Sequence, residues 1–430
     1  MRVLMFGWEF PPHISGGLGT ACYGLTKGLA KLKNIEVIFV VPKAFGDEDQ
    51  TAMKLIGANN ISVSKKEIQF EENQKKIDYF EVNSQIIPYV GEDEFWKLKS
   101  GKYPKGTKFI ETDKSCKIDF SGTYGTNLLQ EIKNYALIAE IIARDNTFDI
   151  IHAHDWLAYP AGIAAKKVSG KPLVIHVHAT DFDRSGKDVN PRVYSIEREG
   201  MEMADKIIVV SNLTRNIVIE KYGASPEKVT TVYNAVEPIS ISENTKLRKG
   251  VDEKIVTFLG RITMQKGPEY FIEAANIVLK KMGNIRFVMA GSGDMMDAMV
   301  VRAAELGISD KFHFTGFLQG DDVFQMFKMT DVFVMPSVSE PFGIVPLEAM
   351  QANVPVIISN QSGVAEILKH AIKIDFWDTL AMADAIYGLL KYPSLSKHFK
   401  KAGKKEVGNF KWKNSAKRVK KVYKSALNKL

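Results

Sequence analysis

The chain has 430 residues, of which 45% are hydrophobic and 25% charged, with a formal net charge of +8. That length is too great for one ordinary core and predicts two domains, and the composition excludes a disordered or fibrous protein. No apolar run approaches the roughly 18 residues of a membrane span, and two cysteines, Cys22 and Cys116, make no disulfide framework, so a cytoplasmic protein is expected.

The charge is unevenly spread. Residues 397–430 hold thirteen Lys and Arg against one acid, Glu406, and so carry +12, while the rest of the chain carries −4. The body is not basic, and no nucleic-acid channel through it is expected. In the tail, Val419, Tyr423, Ala426 and Leu430 fall on one helical face with lysines over the rest. Residues 406–430 therefore read as a basic helix that docks its apolar face on the protein, the alternative being contact with an anionic membrane surface or polymer.

Taken in order, residues 3–6 predict a strand, Gly16-Gly17-Leu18-Gly19 a glycine-rich crossover, 20–32 a helix and 35–41 a second strand. The glycines lack the spacing of a dinucleotide fingerprint, but their place between strand and helix suits a ligand. Residues 44–130 are polar and read as an insertion with its own hairpins, one short β-like piece being 86–90, lying over a cleft. A helix over 134–144 leads to a strand over 149–156 carrying His152, His154 and Asp155. A second such strand, 173–181, carries His176, His178 and Asp181. Residues two apart share a strand face, so each histidine pair is open to two readings: metal ligands, or one buried ring and one facing the crevice. No further regularly spaced Cys or His completes a shell, and no metal is expected. The tripeptide Asp181-Phe182-Asp183 is the D-x-D that some transferases use to hold a divalent ion.

A helix over 196–204, a strand over 206–210, a helix over 212–222 and a strand over 228–233 complete an amino-terminal domain of residues 1–238. A polar linker spans 234–252. The theme then repeats over 253–405: strand 254–261, helix 269–282, strand 285–290 with Gly291-Ser292-Gly293 behind it, helix 296–306, strand 312–314, helix 322–329 and strand 331–336. This alternation predicts an α/β protein of two Rossmann-like, doubly wound domains facing across a cleft.

Ligands of open α/β sheets sit beyond the carboxyl ends of the strands. That rule gathers the Gly16–Gly19 turn, His154, Asp155, His178, Arg261, Gly293, Glu340, Gly343 and Glu348 around one cavity. The stretch Ser339-Glu340-Pro341-Phe342-Gly343-Ile344-Val345-Pro346-Leu347-Glu348 links a strand to a helix by a glycine turn. An anion can approach the bare backbone of Gly343 and the unpaired N–H groups of the helix start. Arg261 and Lys266 add two cations, and the whole describes a site for a sugar carrying a phosphate leaving group.

The order Gly-Gly-Leu-Gly, His-Ala-His-Asp-Trp, Val-His-Ala, Gly-Arg-x4-Lys-Gly and Glu-Pro-Phe-Gly-x4-Glu resembles the retaining glycosyltransferases of the GT-B fold, over nearly the whole chain. Within them Trp8-Glu9-Phe10-Pro11, Gly16-Gly17-Leu18-Gly19 and His152–Trp156 are most similar to bacterial and archaeal glycogen or starch synthases. Those synthases carry Lys where this chain has Ile14, and Pro-Asn-Gly-Val-Asp where it has Ala235 in the place of Gly. The resemblance implies transfer of glucose from ADP-glucose or UDP-glucose to the non-reducing end of an α-1,4-glucan. The alternatives are a small or lipid-linked acceptor, a sugar-nucleotide epimerase or a phosphorylase. It further implies that Arg261 and Lys266 neutralise the donor diphosphate, assisted by Gly16, Gly17 and Gly293. Glu340 would hold glucose hydroxyls, Gly343 and Ile344 offer N–H groups, and Glu348 hold the ribose. His178 would face the sugar, and Glu9 and Asp155 would place the acceptor. The nucleotide-sugar would be a co-substrate, with neither cofactor nor metal, which makes Asp181-Phe182-Asp183 a structural turn.

Overall fold

A computed structural model describes residues 1–13, 16–63, 108–111, 116–122, 124, 125, 127–238 and 252–428. The β-like piece expected at 86–90, most of the linker, Ile14 and Leu430 lie outside the described residues.

The amino-terminal domain opens with β1 (Arg2–Phe6), α1 (Gly17–Ala30), β2 (Glu36–Val41) and β3 (Lys54–Gly57). A small antiparallel sheet follows, made of β4 (Ser62–Val63), β5 (Lys108–Glu111) and β6 (Cys116–Asp119). The alternation resumes with α2 (Leu128–Asp145), β7 (Ile150–His154), α3 (Asp155–Ser169), β8 (Leu173–Val177), α4 (Asp181–Ser185) and α5 (Pro191–Met203). It ends with β9 (Lys206–Val209), α6 (Asn212–Tyr222) and β10 (Val229–Thr231). The main sheet has the order β10-β9-β8-β7-β1-β2-β3, every pair parallel. Strands covered on both faces read as unbroken apolar runs, which is why β1, β7, β8 and β9 were visible from composition. The insertion starts later than expected, because Lys54–Gly57 pairs with β2 as the edge of the main sheet.

The second domain holds β11 (Lys254–Leu259), α7 (Pro268–Leu279), β12 (Ile285–Ala290), α8 (Met296–Glu305), β13 (Phe312–Gly316) and α9 (Asp321–Met329). It continues with β14 (Val332–Met335), α10 (Val345–Gln351), β15 (Val356–Ser359), β16 (Ile372–Ile374), α11 (Thr379–Lys391) and α12 (Pro393–Val407). Its parallel sheet runs β13-β12-β11-β14-β15-β16. In both sheets the strand order reverses beside the first strand, which opens a crevice at the carboxyl ends.

The last helix, α13 (Trp412–Leu427), returns to the first domain and lies along α1. Val419, Tyr423 and Ala426 are buried there, so the docked reading holds for this apolar face. Two glycines of α1 make the notch. A Cβ on Gly24 would stand 2.2 Å from the Trp412 indole nitrogen, and one on Gly28 would stand 2.7 Å from the Trp412 carbonyl oxygen. Residue 406 is not an element boundary: Glu406 lies in the final turn of α12, where its carboxylate accepts from the backbone N–H groups of Lys369 and His370.

The domains touch through specific polar contacts. The Glu366 carboxylate accepts from the N–H groups of Asn212 (2.9 Å) and Leu213 (2.7 Å) at the start of α6, and from the Tyr233 hydroxyl (2.8 Å). The Ser339 hydroxyl donates to Asp183 at 2.6 Å.

Candidate active site

The carboxyl-terminal half of the site is built on loops in backbone contact. Gly291 has φ +138°, and a Cβ there would lie 1.8 Å from the Gly260 carbonyl oxygen; one on Gly293 would lie 2.3 Å from that of Ile262. These two glycines let the loops after β11 and β12 close on each other, which fixes the path of Arg261. The Arg261 guanidinium donates to the side-chain oxygen of Gln265 at 2.9 Å, and Gln265 is itself buried. Lys266 ends a 3-10 turn whose cap residue, Gly267, takes a left-handed φ of 63°. A side chain on Gly267 would meet the Pro336 carbonyl oxygen at 2.3 Å.

Those turns point Lys266 at Glu340. The ammonium and the carboxylate lie 2.5 Å apart, with side-chain exposures of 20% and 11%. The Ser337 hydroxyl donates to the same carboxylate oxygen at 3.3 Å. The Glu340 backbone is tied to the neighbouring loop by bonds with Gln361 and Gly363, so the carboxylate is held from both ends. Next to it Gly343 adopts φ +99°, a conformation that favours glycine. Ile344, at the entrance to α10, packs against the apolar cores of both domains. Glu348 keeps part of its surface open, but burial pushes its carboxyl up to about 7.

The amino-terminal half is different in kind. His178 follows β8 and is partly open, and its Nε2 lies 2.9 Å from Nδ1 of His154. Burial lowers the His178 pKa to about 3, so the ring is neutral at physiological pH. His176, two residues before it and stacked on it from the same side, is enclosed, which matches the reading of one buried ring and one facing the crevice. On β7 the expectation fails: His152 and His154 are both fully buried. The Tyr423 hydroxyl of α13 lies 2.6 Å from Nδ1 of His152 and covers that ring, while His154, expected at the crevice, is enclosed by Phe39 and the other three histidines.

Asp155 is not the end of a strand but the first residue of α3, with a left-handed φ of 62° and no exposed surface. Burial pushes its carboxyl up to about 6, opposed by the nearby Arg184 guanidinium. Enclosed in this way, Asp155 offers no open surface to the crevice, contrary to the expectation that it places an acceptor directly. Glu9 is likewise buried, at 5% exposure. Gly16 caps α1, and Gly17 faces open space, with nothing within 4 Å of a would-be Cβ. Asp181-Phe182-Asp183 starts the short helix α4: Asp183 closes a capping box with Thr180, and Asp181 accepts from the Asn190 N–H at 2.6 Å.

Among the described residues, three groups bring candidate metal-ligand atoms within 4.8 Å of one another: Cys22, His154 and His178; His152, His154 and His176; and His13, Asp47 and Glu48. In the second, the His176 ring is inclined by only 11° to His152 and 28° to His154. Ring-nitrogen lone pairs lie in the ring plane, and those of stacked rings do not converge on one ion. Sequence reasoning missed Glu366, the Ser339–Asp183 bridge and the Tyr423–His152 contact. Each joins residues more than 130 positions apart, and none carries a local pattern; the one available signal was the acid–helix-start pairing of Glu366 with Ser211-Asn212.

Two doubly wound domains, with an ion pair and glycine turns at their junction, define a glycosyltransferase of the GT-B fold. The family described as glycosyl transferases group 1 matches residues 241–406, and the glycosyltransferase family 4 description matches residues 122–239. An uncharacterized glycosyltransferase of Methanocaldococcus jannaschii is 28% identical, with 99% of each chain covered. A glycogen synthase of Mycobacterium tuberculosis is 23% identical over 99% of this chain and 95% of its own. Among solved structures, a sucrose-phosphate synthase from Thermosynechococcus elongatus superposes with a TM-score of 0.70 at 16% identity, covering both chains fully.

Proposed function

We propose that this glycosyltransferase moves glucose, with retention, from ADP-glucose or UDP-glucose to the non-reducing end of an α-1,4-glucan. The observation that carries the reading is the Lys266–Glu340 ion pair at the domain junction. Each partner holds the other extended. A donor would separate them, its diphosphate taking Lys266 and Arg261 and its glucose hydroxyls taking Glu340. The end-to-end similarity to a glycogen synthase supports the glucan as acceptor.

In the proposed reaction the bond between the glucose C1 and the diphosphate oxygen breaks and the electron pair leaves with the phosphate. Two preorganised cations offset that charge where it develops. The acceptor hydroxyl bonds to C1 on the same face and gives its proton to the departing phosphate oxygen, so no protein nucleophile is required. A neutral His178 faces the developing cation without repelling it. Contacts such as Ser339–Asp183 keep the domains together and exclude water. The nucleotide-sugar is a co-substrate in this scheme, and no cofactor or metal enters it.

The test is incubation with labelled ADP-glucose or UDP-glucose and glycogen. Label is expected in polymer with one donor, and none with either rejects the glucan. A second reading, a small or lipid-linked acceptor, is supported by the basic carboxyl-terminal helices, and label in the lipid extract would favour it.

A further inference from the structure

The edge of the second domain where the strands of its sheet begin, opposite the donor side, carries a cleft of about 750 Å3. Lys254 at the start of β11 and five lysines of α12, Lys397, Lys400, Lys401, Lys404 and Lys405, line it. The acid among its lining residues, Asp331, is already paired with Lys254 at 3.5 Å. Glu406, the acid of α12, offers no relief because its carboxylate turns inward to the Lys369 and His370 backbone and the His370 ring. The cleft also has an apolar part, formed by Leu389, Leu390 and Pro393. Beside it stand Tyr392, 58% exposed, and Leu395, 38% exposed.

Lysines this close repel one another, and nothing described in the fold needs them there. A soluble polyanion would use the cations but gain nothing from an apolar floor or from an exposed Tyr and Leu. An anionic amphiphile uses both. Lysine stems lie along apolar surface while their ammonium groups reach outward. Tyrosine collects at the boundary of bilayer and water, and basic clusters bind acidic leaflets. We propose that this cleft docks the protein on an anionic phospholipid surface, one headgroup seated among the α12 lysines with Tyr392 and Leu395 at the lipid boundary. The attachment is peripheral: no helix among the described residues is long and apolar enough to cross a membrane. It is also local to α12, because the apolar face of α13 is already spent on α1. The proposal is independent of the acceptor, since the cleft lies at the opposite edge of the sheet from Lys266 and Glu340.

The full-length protein is sedimented with vesicles of phosphatidylcholine alone and of phosphatidylcholine mixed with phosphatidylglycerol, at about 0.1 M salt. Binding is expected to the mixed vesicles only. The variant Lys397→Glu/Lys400→Glu/Lys401→Glu/Lys404→Glu should lose at least about tenfold in affinity. A control on α13, Lys413→Glu/Lys417→Glu/Lys421→Glu, should lose less. Tyr392→Ser/Leu395→Ser should weaken what binding persists in high salt. An unchanged melting temperature shows that the variants fold, and the same four positions changed to Gln provide a milder set. Three outcomes overturn the proposal: equal binding to both vesicle types or to neither, equal loss from the α12 and α13 sets, or stabilisation by inorganic polyphosphate without vesicle binding.

Discussion

The two walls of the cleft are made of opposite materials. On the carboxyl-terminal side, full charges stand on glycine turns: Arg261 bound to Gln265, and Lys266 bound to Glu340. On the amino-terminal side, His152, His154 and His176 are held below their ordinary pKa, first by burial and then by one another, and His178 by burial. The first wall stores charge; the histidines of the second are kept neutral. A leaving diphosphate needs fixed cations at its own position, and a cation across the cleft would hold that diphosphate at the wrong wall. In the proposed reaction this difference would leave departure of the phosphate to one domain and shaping of the sugar pocket to the other.

The largest expected effect comes from breaking the charged wall. Lys266→Ala should lower turnover by about 10²–10³-fold, the scale of one lost charge-stabilising group. Lys266→Arg, which keeps the charge but changes its geometry, should fall in between. Steady-state rates at saturating donor are the check, and an alanine variant within twofold of the parent would remove Lys266 from the chemistry. The same truncation on the neutral wall, His154→Ala, should cost less, because it removes a partner of His178 and not a charge.

The contrast also explains what could be read in advance. Arg261, Lys266, Glu340, Gly343 and Glu348 lie within one domain, each just past a strand or at a helix start, where local pattern and sheet topology together give the position. The amino-terminal wall depends on distant contacts. His152 is covered by Tyr423, 271 residues away, and His154, expected at the crevice, is closed in by Phe39, 115 positions before it. Asp155 reads as strand until its left-handed turn starts α3. The interdomain clamp from Glu366 to the start of α6 spans 154 positions. Alternating apolar runs reveal each element but not which surface of it a remote segment will cover.

An intermediate effect tests that remote cover directly. Gly28→Val puts a branched side chain where even a Cβ would meet the Trp412 carbonyl oxygen at 2.7 Å. Helix backbones cannot yield as a side-chain tip does, so α13 must move off α1. A loss of about 2 kcal/mol in unfolding free energy is expected, typical of overpacking, and chemical denaturation measures it. The same substitution at Gly283, which has nothing within 4 Å of a would-be Cβ, should cost far less. Loss of transfer at Gly28 without loss of stability would mean that α13 acts on the neutral wall itself.

The smallest effect separates the walls by pH. The Glu348 carboxyl is raised to about 7 by burial alone. In the proposed role it accepts hydrogen bonds from ribose hydroxyls, and only the ionised form has full capacity to do so. At pH 8 the group is mostly ionised, and at pH 6 only about one molecule in ten is. Affinity for UDP-glucose or ADP-glucose, whose own phosphates stay ionised across this range, should therefore fall about tenfold between pH 8 and pH 6, as the proton that Glu348 gains must be removed before the donor binds. Histidines of the opposite wall cannot imitate this. Their pKa values lie below the ordinary 6.5, that of His178 at about 3, and they stay neutral through the interval. Glu348→Gln should bind donor more weakly at pH 8 and show a flat profile, read by calorimetry. A variant that keeps the slope would move the titrating group away from Glu348 and take the ribose contact with it.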